Sequence, residues 1–168
     1  VKLFEDIVSF ANYAFNKSHA AAYAVLSFRT AYLKTHYPAE YESALLTSVI
    51  SSTDKLAEYI ADCGKHGIKV LPPDINKSKS SFHVEDGAIR FGLTALKNVG
   101  SGVTDEIVAE REKNGEFTSF EDFIDRVGGI MLNKRQLETF IKSGAMDCLG
   151  VERSRMLAVY ENVIDKRG

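Results

Sequence analysis

The sequence predicts a mainly α chain with a small β element, an α+β arrangement in which helices precede and follow one short strand and a β-hairpin. Three observations predict it. Apolar residues recur at helical spacing through most of the chain, strand-like alternation is confined to residues 68–91, and glycine, proline and polar clusters separate the periodic stretches at short intervals. With 168 residues, 45% apolar and 26% charged, the chain can bury a core without disulfides or metals.

Leu3, Ile7, Phe10, Ala11 and Ala14 share one helix face, so the chain opens on an amphipathic helix that stops at Asn16-Lys17. Ser18 is placed to N-cap a second helix from His19, which ends before Pro38 because the proline disfavours the α conformation at Tyr37. Pro38 suits the first position of a third helix over 39–50. A fourth, capped by Thr53 and carrying Leu56, Tyr59, Ile60 and Cys63, ends near Gly67. Ile68, Lys69, Val70 and Leu71 alternate as a strand, and Pro72-Pro73 forces an extended exit into a polar stretch reaching Ser81. Phe82 and Val84 before Asp86-Gly87, with Ile89 and Phe91 after it, predict a tight hairpin, giving three strands for one sheet. Helical periodicity then returns over 93–97, 103–113, 120–126, 134–143 and 151–166. Gly115, Gly128-Gly129 and Gly144 act as stops, and Asn133 as an N-cap.

This texture divides the chain into a helical segment at 1–67, a strand and hairpin at 68–92, paired short helices at 93–150 and a terminal helix at 151–168. The net charge of -2, from 21 basic and 23 acidic residues, excludes a strongly basic nucleic-acid domain but leaves room for local phosphate contacts. Cys63 and Cys148 lie far apart without a CxxC or Cys/His cluster, so a zinc site and a redox motif are unsupported and both are expected as reduced core residues. No apolar run spans a bilayer and no basic leader precedes one, which predicts a cytoplasmic chain with no membrane contact. Val1 stands directly in helical periodicity without an initiator methionine, the pattern of a fragment of a longer polypeptide.

Two segments carry candidate chemistry. Leu96-Lys97-Asn98-Val99-Gly100-Ser101-Gly102-Val103 has the shape of a helix-hairpin-helix element, whose glycines permit a sharp turn and leave amides near a helix N-terminus open to an anion such as a DNA phosphate. An ordinary tight turn between helices uses the same residues. The helix pair over 120–126 and 134–143 makes a second such element, with a degenerate hairpin at Val127-Gly128-Gly129-Ile130. Lys134 and Arg135 beside it suit either backbone contacts or a solvated basic helix start. In the first half, His19 and Tyr23 lie four apart on one helix face with only alanines between, and Lys17 stands just before them. A cation at a helix N-terminus favours a polyphosphate, and a tyrosine one turn later offers a flat surface for a base. Equally, Tyr23 could serve as a core residue and Lys17 as a solvated one.

The runs FNKSHAAAYAVLSFRTAYLKTHYPAEYESALL, GIKVLPPDIN, IRFGLTALKNVG and NKRQLETFIKSGAMD closely resemble, in the same order, the alpha subunits of bacterial replicative DNA polymerase III, C-family polymerases of the shorter type. The resemblance covers nearly the whole chain. It implies the C-terminal part of a fingers subdomain followed by a tandem helix-hairpin-helix region. It further implies nucleotide-phosphate contacts for Lys17 and His19, base stacking for Tyr23, and grip on the duplex backbone by Val99, Gly100, Ser101, Gly102 and Val103; Lys134 and Arg135 are DNA-contact candidates from their own charge and position alone. The family's metal-binding aspartates belong to a palm upstream, so the resemblance implies no catalytic or metal-binding residue here, magnesium only in the full-length enzyme, and no polymerisation by the fragment. Primer-template DNA and deoxynucleoside triphosphates are the implied partners, with the sliding clamp and other replisome subunits engaged through the full-length protein. The alternative is a stand-alone helix-hairpin-helix DNA-binding module of a repair or recombination protein, which would have no need of the segment around His19 and Tyr23.

Overall fold

The computed structural model describes residues 2–13, 17–128 and 132–165. Its helices are α1 (Lys2–Tyr13), α2 (Lys17–His36), α3 (Pro38–Ser48), α4 (Thr53–Lys65), α5 (Ser101–Asn114), α6 (Phe120–Val127), α7 (Lys134–Ser143) and α8 (Arg153–Asp165). Its strands are β1 (Val70–Leu71), β2 (His83–Glu85) and β3 (Ala88–Arg90). The mainly helical class with a small β element is what the chain adopts. Two compact units divide it, Val1–Pro38 and Ala39–Gly168.

In the first unit α2 starts at Lys17, so Ser18 lies inside the helix instead of capping it. None of the residues of α2 is buried, and Phe28 is 72% exposed. Leu3, Phe4, Ile7 and Phe10 of α1 are likewise exposed. Ring pairs one turn apart lie along α2: the His19 and Tyr23 ring centres are 4.4 Å apart and those of Tyr32 and His36 4.3 Å.

The second unit holds two hydrophobic clusters. In the smaller, Leu46 of α3 and Leu56 and Cys63 of α4 pack with Phe82, just before β2, and with Ile89 of β3. The sheet order is β1-β3-β2, with β1 parallel to β3 (Val70 opposite Ile89) and β2 antiparallel to it (Val84 opposite Ile89). Asp86 and Gly87 both take positive φ (50° and 79°), the mirror-image turn whose twist matches a two-residue hairpin. Arg90 reads the Glu85 carboxylate with both Nε (2.7 Å) and Nη2 (2.9 Å), and its hydrogen bonds hold that carboxyl below the usual range.

The larger cluster is built by α5, α6, α7 and α8, with Phe123, Phe140, Ile107, Leu137 and Met156 fully buried. The polar stretch after Pro73 is tied into it. Ile75 is 0% exposed within this cluster and its amide donates to the Ala145 carbonyl (2.7 Å). The Asn76 side chain both accepts from the Phe117 amide (2.8 Å) and donates to the Phe117 carbonyl (2.9 Å), mimicking a backbone pairing. Arg111 Nη1 donates to the carbonyls of Ile75 (2.8 Å) and Ser78 (3.0 Å).

Of the cysteines, Cys63 is buried as expected, but Cys148 is exposed and outside both clusters. It follows Asp147 in a one-turn 3-10 helix, where only apolar Leu149 points inward. Desolvation, then the neighbouring Asp74 carboxylate, pushes its thiol up to about 11, so it stays protonated and weakly nucleophilic at neutral pH.

Candidate nucleic-acid interface

Leu93–Ala95 form one 3-10 turn, not the longer helix that the spacing over 93–97 suggests, and the chain reverses at Lys97-Asn98. The left-handed residue of this reversal is Asn98 (φ 65°). Asparagine tolerates that conformation better than other side chains. Val99 and Val103, 7% and 6% exposed, both follow the turn and anchor the chain in the core as it enters α5. Gly100 is the N-cap of α5 at φ -90°, ψ 161°, and Ser101 and Gly102 already belong to the first helical turn.

Neither glycine therefore serves the bend, because both Gly100 and Gly102 have ordinary negative φ. Nor does packing require them: a Cβ at either position would meet nothing within 4 Å. What their absent side chains leave is open space over an uncapped helix end. No side chain caps α5, and the first-turn amides of Ser101, Gly102 and Val103 have no acceptor among the described residues. Three parallel donors at the positive end of a helix dipole form an anion site of the kind that grips a phosphate without reading a base.

The second helix pair is closed where the first is open. Asn133 Oδ1 accepts from the Gln136 amide (2.9 Å) while Gln136 Oε1 accepts from the Asn133 amide (2.9 Å), a reciprocal cap over the start of α7. Gly129 and Ile130 of the degenerate hairpin lie outside the described residues. Lys134 Nζ is paired with Asp165 of α8 (2.7 Å). Arg135 is exposed and makes no side-chain hydrogen bond or ion pair among the described residues. Gly144, at φ 82°, ends α7 in the left-handed conformation.

Charge is distributed unevenly around α5. Asp105, Glu106 and Glu110 share one flank with Lys113. The Arg126 guanidinium, 2.9 Å from Glu110 and 4.4 Å from the Phe117 ring centre, holds the Glu110 carboxyl below its usual range. That flank stays negative at neutral pH.

The remaining sequence candidates stand together at the start of α2. Lys17 is its first described residue, and His19 and Tyr23 face one another a turn apart, with Tyr23 57% exposed and therefore not a core residue. Asn98, not a glycine of the Gly-x-Gly pair, is the turn residue, and asparagine is among the few non-glycine residues suited to positive φ. Among the described residues no three His, Cys, Asp or Glu side chains gather to hold a metal, and no helix is long and apolar enough to cross a membrane.

The family model of the helix-hairpin-helix motif matches residues 67–156, more than half of the chain, and the chain belongs to that family. Its relatives place it further within the family. It is 48% identical over 164 residues to a DNA polymerase III subunit alpha of Saccharopolyspora erythraea, 49% over 163 residues to that of Thermus aquaticus, and 47% over 163 residues to that of Mycobacterium tuberculosis. These alignments cover 97–98% of this chain but only 13–14% of the relatives, so the chain corresponds to about one seventh of their length. It is homologous to the helix-hairpin-helix part of those subunits.

Proposed function

We propose that this chain is the segment of a bacterial, cytoplasmic replicative DNA polymerase that holds the duplex by its phosphates and contributes one wall of the incoming-nucleotide pocket. The observation that carries the first half is the start of α5, which no side chain caps: Gly100 is an N-cap without a side chain, and Gly102, inside the first turn, is required by neither backbone conformation nor packing. Amide-to-phosphate bonds position a duplex without sampling sequence, as template copying requires. Similarity that also runs through α1–α4 supports a polymerase over a stand-alone binding module. Among the described residues no cluster of His, Cys, Asp or Glu gathers to hold the magnesium that the polymerase resemblance implies for the full-length enzyme. Clamp and replisome contacts belong to the longer protein.

The duplex role is tested by fluorescence anisotropy. The chain should bind short duplexes of unrelated sequence equally, with affinity falling steeply and linearly on a log–log salt plot. A strong preference for one sequence, or affinity insensitive to salt, overturns it.

The nucleotide role rests on Lys17, His19 and Tyr23 at one exposed helix end. In the complete polymerase Tyr23→Ala should raise the nucleotide KM through lost stacking, an effect of about 1–3 kcal/mol, without lowering Tm. Lys17→Ala and His19→Ala should weaken triphosphate binding and spare primer-template affinity. Equal losses for nucleotide and DNA would contradict this assignment.

A further inference from the structure

Beside the open end of α5 lies a cleft of about 650 Å³, bounded by the turn between α3 and α4 on one side and by residues 94–100 on the other. Ser51, Thr53, Lys97, Asn98 and Gly100 line it, and none of its lining residues is a carboxylate. Gly100 belongs both to this cleft and to the α5 N-terminus, so the two features are continuous. Asp54, in the first turn of α4, is not among the lining residues. The other flank of α5 presents Asp105, Glu106 and Glu110.

We infer that the DNA strand held at Ser101, Gly102 and Val103 continues through this cleft, with Lys97 neutralising a neighbouring phosphate and the hydroxyls of Ser51 and Thr53 donating to the backbone. The inference rests on the duplex-binding reading above and adds a direction to it. A polyanion leaving the α5 amides has two ways to go. Along α5 it meets Asp105, Glu106 and Glu110 against Lys113 and the Arg126 guanidinium that pairs with Glu110, a path that keeps a net negative charge and is opposed by it. Across the cleft it meets an exposed ammonium and small hydroxyl donors without an opposing carboxylate. Strong, non-directional attraction from lysine and short-range donation from hydroxyls are the usual means by which proteins fix backbone register. Neither Ser51 nor Thr53 would be found from sequence, since they lie more than forty residues before the glycines and only the fold brings them alongside.

The test is a salt series of anisotropy titrations with a fluorescein-labelled duplex of mixed sequence, on the full chain. Lys97→Ala should weaken binding several-fold for every sequence and reduce the magnitude of the log–log salt slope by about one. Thr53→Glu should weaken binding while holding or raising Tm, because a carboxylate in the first turn of α4 suits the helix dipole but repels phosphate. Lys113→Ala, on the acidic flank, should bind as wild type. If Lys97→Ala and Thr53→Glu retain wild-type affinity while Gly102→Val loses it, the cleft path is wrong and the α5 contact stands. If Lys113→Ala loses as much as Lys97→Ala, the effect is net charge and the path is again wrong. A Gly102→Val chain that binds normally, or a wild-type chain that does not bind, removes the duplex reading and the path together.

Discussion

Phe123→Ala is expected to destabilise the Ala39–Gly168 unit by about 3–5 kcal/mol, the range for emptying a closed aromatic site. Phe123 is fully buried on α6, edge-on to Phe117 (5.0 Å between ring centres) and to Phe140 of α7 (6.5 Å). It thus joins the loop before α6, α6 itself and the helix that follows the second hairpin. The surroundings have little freedom to collapse into the void. Phe117 is fixed through its backbone by Asn76 and covered by Arg126, and Phe140 is itself 0% exposed. For a chain of this length the loss corresponds to a fall in Tm of roughly 10 °C or more. Phe123→Leu, which keeps most of the volume, should cost far less. A thermal melt in which the alanine variant sits within a degree or two of wild type would show that this junction does not hold the helix pairs together.

Local signals in the sequence were enough for most elements. Asp86-Gly87 between alternating apolar residues predicts the hairpin because a two-residue turn needs positive φ at both positions. Asn133 three residues before Gln136 predicts the start of α7 because the reciprocal cap is contained in four residues. What escaped depends on distant partners. Nothing near Ile75 marks it as core within a polar run, since its burial comes from helices far along the chain and its loop is pinned by Asn76 to Phe117, 41 residues away. The parallel pairing of β1 with β3 is non-local in the same way. The short helix expected at 93–97 is a single 3-10 turn because the reversal at Asn98 follows too soon for α-helical bonds to close.

The candidate site follows the same division. Its glycines were legible as a Gly-x-Gly spacing, but their reason was not. The spacing points to a sharp turn, whereas the fold gives the turn to Asn98 and leaves Gly100 and Gly102 with conformations any residue adopts. A glycine unneeded by backbone and by packing costs helix stability, which is a stronger pointer to an outside ligand than a glycine forced by positive φ.

That cost makes the last expectation one of opposite signs. Gly102 is inside the first turn of α5, a Cβ there meets nothing within 4 Å, and its φ is negative. Gly102→Ala should therefore leave the fold intact and stabilise it, by up to about 1 kcal/mol, through reduced freedom of the unfolded chain. The same methyl adds bulk at the helix end whose amides are offered to phosphate. Duplex affinity should fall for all sequences alike, and further for Gly102→Val, whose branched side chain covers more of the helix end. If the loss reaches the scale of a charge-assisted hydrogen bond, about 1.5–3 kcal/mol, affinity drops by an order of magnitude or more. Melting curves and anisotropy titrations on the same preparations decide the matter. Stability and affinity falling together would mean that Gly102 is structural. Stability rising while affinity stays unchanged would mean that the open end of α5 does not face DNA.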